Sequence, residues 1–198
     1  MAGLDQADSV GFNPHKWLYI ATTCAMILFK DEERMRRVSK MPLPYMNVGG
    51  GFVNLSEISI HGSRRVEILK LWLSLQHLGL KGYAQLVEEG CRLAKYLFEK
   101  LPEHSYLRLA GEPEMNIICF RGEPDWIPPA SWDDWNTSLQ GRLLSESRIF
   151  LSLPTYRGAR WLRCVLLNPY TDEAILDRTL GLIDAFSTST RRRSSVLS

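Results

Sequence analysis

The sequence predicts a mixed α/β fold, and three features of the chain indicate this class. Short apolar runs of strand length, such as Cys24–Phe29, stand between longer stretches with helical periodicity. The order is strand, long helices, then strands and helices in alternation, as in mixed α/β domains. A length of 198 residues, with 45% hydrophobic and 23% charged residues, is enough to bury a sizeable core.

The N-terminal part is expected to contain a strand, a charged helix and a long loop. Trp17–Ile20 and Cys24–Phe29 are apolar runs, and the second is nearly continuous, which predicts a strand covered on both faces. Residues 30–37 are charged and helix-prone. Residues 41–52 hold two prolines and three consecutive glycines, which predict an irregular loop of functional size. A plain surface connector is the alternative for this loop.

Two helices are predicted in the middle of the chain. The Val66–Leu78 segment is apolar on nearly every face, which indicates burial, and Gly79 marks its end. The second helix covers Tyr83–Leu101 and has one apolar stripe and one charged face. This pattern is typical of an amphipathic helix that packs on a core.

Strands and helices alternate in the C-terminal part. The predicted strands span 106–110, 116–120, 149–153 and 161–167, and a helix is predicted over 135–147. Thr171 is the candidate N-cap of a final helix, with Asp172 and Glu173 in its favoured first turn. Residues 188–198 are polar, include three consecutive arginines and are expected to be disordered.

The composition excludes several classes of protein. A net charge of +2 indicates neither a nucleic acid nor a membrane surface as partner. No apolar run approaches the roughly 20 residues that span a bilayer, and Asp5 and Asp8 interrupt the N-terminus where a secretory signal would be apolar. The four cysteines are widely spaced without a Cys-x-x-Cys pair, which predicts reduced thiols in the cytoplasm and no metal site.

The run that carries chemistry is Asn13–Trp17, which reads Asn-Pro-His-Lys-Trp. Lys16 stands in an apolar, aromatic-flanked segment, and burial of an ammonium group is costly. Desolvated lysines are the usual nucleophiles for a Schiff base with a carbonyl compound. Ser9, Asn13 and His15 add donors that suit a phosphate. The alternative is a strand-edge lysine that points to water.

These residues resemble a known family. Ala7-Asp8-Ser9, a short gap and then the Asn13–Trp17 run are similar to the cofactor-lysine segment of the group II pyridoxal-phosphate amino-acid decarboxylases. That family includes glutamate, cysteine-sulfinate, diaminobutyrate and aromatic amino-acid decarboxylases. The resemblance covers nearly the whole chain, from Ala7 to about Phe186. It implies pyridoxal 5'-phosphate as the cofactor and the pyridoxal-phosphate-dependent transferase fold of type I.

The resemblance also implies roles for individual residues. Lys16 would hold the cofactor covalently, Asn13 would contact its phosphate, and Ser9 would be a further cofactor-binding residue. His15 would lie against the cofactor and the substrate carboxylate. Arg163 stands between apolar neighbours in a predicted strand and matches the arginine that holds a substrate carboxylate in the glutamate-decarboxylase branch. An internal salt bridge of Arg163 is the alternative.

Tyr45 lies in the loop that contains the prolines and glycines. In the family, a loop tyrosine at this position protonates the carbanion that remains after carbon dioxide leaves. Related aldehyde-forming enzymes carry phenylalanine there, so a tyrosine favours an amine as product. The alternative is a loop aromatic that packs on the surface.

The function that the resemblance implies is decarboxylation of an L-amino acid to an amine and carbon dioxide, by a homodimer in the full-length protein. In the family, the acidic partner of the pyridinium nitrogen lies upstream of the cofactor lysine, and only fifteen residues precede Lys16 here. We therefore expect a C-terminal segment of a decarboxylase. The alternatives are an aldehyde-forming enzyme of the same fold and an inactive, partner-binding remnant.

This interpretation divides the chain into four parts. Residues 1–60 would be the end of the large cofactor-binding domain, with the cofactor lysine and the active-site loop. Residues 61–104 would form connecting helices, residues 105–187 the C-terminal small α/β domain, and residues 188–198 the disordered tail.

Overall fold

The computed structural model describes residues 3–39 and 65–197, with side chains as far as residue 195. It confirms a mixed α/β fold. The chain forms two compact units, Met1–Tyr83 (unit 1) and Ala84–Ser198 (unit 2). Among the described helices, none is both long enough and apolar enough to cross a membrane.

Unit 1 is built on an antiparallel pair of strands. Its elements are β1 (Ser9–Phe12), α1 (Pro14–Trp17), β2 (Met26–Phe29), α2 (Glu32–Ser39) and the first part of α3 (Glu67–Lys100). Ser9 pairs with Phe29 at one end of the β1–β2 ladder and Phe12 with Met26 at the other. The sequence pattern did not predict β1. The single turn of α1 follows β1 directly and begins with Pro14, which suits a first helical position because its N–H would have no helical partner.

The core that the described residues of unit 1 form is small. Ile20, Cys24 and Leu71 form its buried cluster, and Leu18, Met26 and Leu75 pack against them. The prediction that β2 is covered on both faces is wrong for this unit, because Ile27 and Leu28 are 55% and 54% exposed. The all-round cover that the apolar start of α3 requires is not supplied by the described part of the chain, where Trp72 is 55% exposed. Only the side of α3 that carries Leu71 and Leu75 faces this cluster.

Helix α3 changes character within its length. Gly79 has φ 63° and ψ 177°, which is not helical, so α3 consists of two helical segments joined at this glycine. Positive φ at this position favours glycine over any residue with a Cβ. The sequence therefore predicted the end of the first segment correctly.

Unit 2 is a layer of helices on one face of an antiparallel sheet. Besides the second segment of α3, it contains β3 (Leu107–Leu109), β4 (Ile117–Gly122), α4 (Trp132–Ser147), β5 (Thr155–Tyr156), β6 (Ala159–Arg160), β7 (Leu162–Val165) and α5 (Glu173–Leu197). The sheet order is β3-β4-β7, and β5 and β6 form a separate hairpin. The strand predicted over 149–153 is reduced to one bridge, between Ser152 and Arg163.

The helices cover the sheet face that carries Ile118 and Phe120, which are 1% and 2% exposed. Their neighbours Ile117 and Cys119 point to the other face and are half-buried. The core contains residues from all three helices and from the strands, including Leu97, Leu101, Leu139, Leu143, Leu162, Leu180 and Ile183. Over Ile117–Phe120 the alternation is that of a sheet packed on one side. Arg121 ends this alternation at 7% exposure, because its guanidinium lies near the Trp132 and Trp161 rings.

Two polar features connect helices to other elements of unit 2. Asn136 of α4 is fully buried and pairs with Gly122, accepting from its N–H and donating to its carbonyl, both at 2.8 Å. Thr190 accepts a hydrogen bond from the Trp135 indole at 3.1 Å, and the Arg191 guanidinium lies 5.2 Å from the Trp126 ring centroid. The last two contacts explain why α5 continues to Leu197, where the sequence predicted a disordered tail over 188–198.

Candidate active site

Lys16 lies at the surface of α1, the turn between β1 and β2. Its backbone N–H donates to the Asn13 carbonyl at 2.9 Å, and Pro14 is the buried residue of the turn. The Lys16 side chain is exposed, and its ammonium group has no hydrogen bond or ion pair within the described part of the chain. The burial expected from its apolar flanks is therefore wrong, because α1 directs Pro14 inward and leaves Lys16 in solvent.

His15 is held in place from one side of its ring. Its Nδ1 lies 2.5 Å from the carbonyl oxygen of Cys24 and 3.2 Å from the Cys24 nitrogen. Nδ1 can donate to the carbonyl when it carries the proton, or accept the Cys24 N–H when it does not, so Cys24 orients the ring in either tautomer. Nε2 has no partner among the described residues. The imidazole is thus oriented before any ligand binds.

Asn13 and Ser9 lie at opposite ends of β1. A strand rises about 3.3 Å per residue, so their Cα atoms are about 13 Å apart. The Asn13 side chain is exposed and makes no capping hydrogen bond to α1, and it therefore remains available beside Lys16. Ser9 pairs with Phe29 at the far end of the ladder. The structure brings Asn13, His15 and Lys16 together and leaves Ser9 apart from them.

Lys70 also belongs to this region, which the sequence did not predict. Its Nζ donates to the carbonyls of Ala21 at 2.8 Å and Thr23 at 3.2 Å, and it forms an ion pair with Glu67. The Cys24 thiol also lies 3.9 Å from the Glu67 carbonyl oxygen. These contacts fasten the segment after Lys16 to the first turns of α3. A lysine inside the otherwise apolar run Leu69–Leu73 is the sequence signal for such a contact.

Arg163 belongs to unit 2, on the sheet face opposite the helices. It stands in β7 opposite Cys119 of β4, and its backbone pairs with Ser152 on the other side. Burial raises the pKa of the Cys119 thiol, and the Arg163 charge opposes that shift. Among the described residues the half-buried guanidinium has no carboxylate partner. The internal salt bridge that the sequence left open is therefore absent from the described part of the chain.

One predicted site residue lies outside the described ranges. Tyr45 falls between residues 39 and 65, so its role stays a prediction. In the described ranges, no three His, Cys, Asp or Glu residues are grouped so that they could hold a metal ion.

The chain matches a family model, and the relatives described below are named as decarboxylases. The model for the pyridoxal-dependent decarboxylase conserved domain matches residues 1–123. The human protein "Acidic amino acid decarboxylase GADL1" is 27% identical over 196 residues, which are 92% of this chain and 38% of that protein. Rat "Cysteine sulfinic acid decarboxylase" is 26% identical over 201 residues, covering 92% of this chain and 40% of that protein. The chain therefore spans about two fifths of the length of these relatives.

Solved structures share the fold. The apo crystal structure of mouse CSAD superimposes with a TM-score of 0.81 at 24% identity and covers 94% of this chain and 41% of that one. Oryza sativa TDC, solved with PLP and tryptamine, gives a TM-score of 0.88 at 20% identity and covers 96% of this chain and 40% of that one. Identity this low shows the fold alone. The superpositions confirm the type I fold that the resemblance implied.

Proposed function

The chain belongs to the pyridoxal-dependent decarboxylase family, and from that premise we propose that it serves the pyridoxal-phosphate-dependent decarboxylation of an L-amino acid to an amine and carbon dioxide. Because the chain spans about two fifths of the relatives it matches, the proposal concerns its contribution to such an activity. The observation that supports it most strongly is the Lys16 turn, in which an unpaired amine, a free amide and an oriented imidazole adjoin.

The residues of this turn fit pyridoxal phosphate. The Lys16 amine is free to bond to an aldehyde carbon, and the Asn13 amide can donate to a phosphate oxygen. His15 presents Nε2 from a ring that Cys24 already orients, so little ordering is required on binding. When bound, pyridoxal phosphate supplies the conjugated ring that accepts the electron pair left behind by carbon dioxide.

Two residues complete the proposal away from this turn. The Arg163 guanidinium, half-buried and unpaired within the described residues, would bind the substrate carboxylate through its planar pair of donors. Tyr45 would deliver the proton that the substrate carbon takes up, which gives an amine; this residue lies outside the described ranges. Ser9 would contact the cofactor from the far end of β1, outside the Lys16 turn.

We further propose a cytoplasmic homodimer and the first three parts of the division predicted from the sequence, since α5 occupies the predicted tail. All four cysteines are free thiols, which suits a reducing compartment. Large apolar side chains of unit 1, among them Ile27, Leu28, Ile68 and Trp72, are about half exposed. Exposed apolar surface of this kind is typical of interaction sites.

Borohydride reduction with equimolar pyridoxal phosphate tests the proposal on the 198-residue chain. The phosphopyridoxyl group is expected on Lys16, because its ammonium group has no partner among the described residues. Lys70 and Lys30 are matched controls in the same unit, since both ammonium groups already bind carbonyl oxygens, Lys30 that of Asp5 at 2.8 Å. Peptide mass mapping measures the distribution, and Asn13→Ala should lower the Lys16 fraction by weakening phosphate binding.

The outcome separates two functions. A group concentrated on Lys16 and reduced in the Asn13→Ala variant supports a cofactor site. A group spread evenly over exposed lysines such as Lys95, or found mainly on Lys70, would make Lys16 an ordinary surface lysine. That result would leave the inactive, partner-binding remnant as the better account.

A further inference from the structure

Unit 2 contains a groove that the decarboxylation proposal does not use. It lies between β7, residues 148–151 and α5 and has a volume of about 270 Å³. Its inner wall consists of side chains from the core, with Leu97 at 4%, Leu166 at 5% and Ile183 at 1% exposure. The volume is just below the range of about 300–1,000 Å³ that accommodates drug-sized ligands, so a smaller molecule fits.

The charge in this groove has one sign. Among the described residues that line it, Arg148 alone is charged, and none is acidic. Arg148 ends α4 with φ 56°, and its backbone N–H bonds to the carbonyls of Leu143 and Leu144. Its exposed guanidinium has no hydrogen bond or ion pair within the described chain. The groove thus presents one unpaired cation beside an apolar wall.

The remaining polar side chains are neutral, and most are already paired. The Asn168 amide oxygen accepts the Tyr170 N–H at 3.0 Å. Thr179 donates to the Ile175 carbonyl at 2.7 Å. The Thr171 hydroxyl lines the groove without a hydrogen bond among the described residues. Burial raises the pKa of the Cys164 thiol to about 11, so this lining residue is neutral near pH 7. Nothing described in the groove would attract an amine or a metal ion.

We propose that this groove binds a small aliphatic monocarboxylate, with the carboxylate at Arg148 and the hydrocarbon chain along Leu97, Leu166 and Ile183. The aliphatic wall matches the hydrocarbon chain, and burial of each methylene is favourable. One guanidinium neutralises one carboxylate, and its two parallel donors suit the two oxygens. A dicarboxylate or a phosphate would leave charge without a partner in the described groove.

Octanoate is the probe, titrated into the 198-residue chain by isothermal calorimetry with equilibrium dialysis as a second measurement. One saturable site per chain is expected, with a Kd on the order of 10⁻⁴ M for a ligand of this size. Octanamide has the same hydrocarbon chain without the charge. It should bind about tenfold more weakly or worse, because it cannot form the charge-assisted pair.

Two variants locate the site. Arg148→Gln should weaken octanoate about tenfold and leave octanamide unchanged. The matched control is Arg157→Gln: Arg157 also has a positive φ, 51°, and it lies at the β5–β6 turn outside the groove. This control should bind octanoate like the unmodified chain. Ile175→Trp, at a half-exposed position on the rim, should block both ligands by filling the groove.

Three results would overturn the proposal. The first is no saturable octanoate binding, and the second is equal binding by the Arg148→Gln and Arg157→Gln chains. The third is self-association that octanoate does not affect and that Phe150→Glu abolishes. Phe150 is 69% exposed at the groove, so that result would make the groove an interface between copies of the chain.

Discussion

Units 1 and 2 differ in how their residues are used. Among the described residues, unit 1 buries three in its cluster and carries the unpaired Lys16 beside Asn13 and His15. Unit 2 buries sixteen described residues in one core and pairs the buried Asn136 side chain with the backbone of Gly122. The residues that could bind a cofactor thus stand where the described chain provides little core, and most of the apolar burial among the described residues is in unit 2.

This difference has a physical basis. A free amine, an unused amide and an exposed imidazole nitrogen contribute little to folding, because water satisfies them as well as protein does. The contacts that hold this region in place go to backbone carbonyls. The His15 ring lies against the Cys24 carbonyl, and the Lys70 ammonium group donates to the Ala21 carbonyl. Binding groups and stabilising groups are therefore different residues in unit 1, whereas the described core of unit 2 is mainly stabilising.

The largest expected effect separates the two cores directly. Leu139→Ala, at a fully buried position of α4, should destabilise unit 2 by about 4 kcal/mol, through lost burial and the cavity that remains. Leu71→Ala should destabilise unit 1 by about 2 kcal/mol, because the small cluster can collapse around the gap. Urea titrations read by hydrogen exchange of peptides from each unit measure both. Equal losses would contradict the contrast between the cores.

A close approach within unit 2 gives the next effect. A Cβ on Gly122 would lie 2.0 Å from a Trp135 ring carbon, so Gly122→Ala must displace a buried indole and should cost about 3 kcal/mol. Gly141→Ala is the control in α4, because an added Cβ would meet no atom within 4 Å there and alanine favours a helix. Chemical denaturation should show the first variant destabilised and the second unchanged or stabilised by up to about 1 kcal/mol.

A substitution of Lys70 tests whether the stability of the segment after Lys16 depends on its contacts with α3. Lys70→Met keeps the aliphatic stem and removes the bonds to Ala21 and Thr23, at a cost of about 1 kcal/mol. Amide exchange of residues 18–25 should accelerate about fivefold, which is that free energy expressed as a rate ratio. Lys81→Met, at an exposed position without a described partner, should leave this exchange unchanged. Equal behaviour of the two variants would remove Lys70 from the account.

High pH provides the smallest effect. Burial, and then the hydrogen bond from its hydroxyl to Asp184, raises the pKa of Tyr106 above the usual 10.0. The His104 Nδ1 lies 2.8 Å from the same carboxylate. A tyrosine pKa that is higher in the folded state contributes stability in full below about pH 10, and this contribution is lost as the pH rises towards the folded value.

The free energy of unfolding of unit 2 should therefore fall by less than about 1.4 kcal/mol per pH unit above about pH 10, since solvent screening reduces the effect for a half-buried group. Tyr106→Phe should flatten this decline, and Tyr156→Phe, exposed in the β5–β6 hairpin, should not. Urea titrations between about pH 8 and 11 measure the slopes. A decline of the same steepness in Tyr106→Phe would assign the effect to other groups.

Much of the fold follows from local sequence. The final helix begins one residue later than predicted, at Glu173, and its cap is Asp172 instead of Thr171, because the Asp172 carboxylate accepts the Ile175 N–H at 2.9 Å. Gly79 ends the first helical segment of α3 as predicted. The continuation of α5 through residue 190 could not be predicted from composition, because it depends on indole partners more than fifty residues away in the chain.

The candidate site divides in the same way. The clustering of Asn13, His15 and Lys16 follows from their adjacency and from the helix-starting Pro14. The exposure of Lys16 and the distance between Ser9 and Asn13 depend on where the turn lies relative to the β1–β2 pair. A run of apolar neighbours in the sequence does not specify that position. The contacts of Lys70 could not be predicted, because its partners are backbone carbonyls, which every residue type carries.

Hydrogen exchange with and without pyridoxal phosphate tests the central claim, that the binding groups lie in unit 1 and the stability in unit 2. Peptides from β4, α4 and α5 should be strongly protected in both conditions. Peptides that contain Asn13–Trp17 should exchange fast alone and gain protection with the cofactor, and Lys16→Ala should lose that gain. Protection gained only in unit 2, or equal protection of both units without cofactor, would contradict the account.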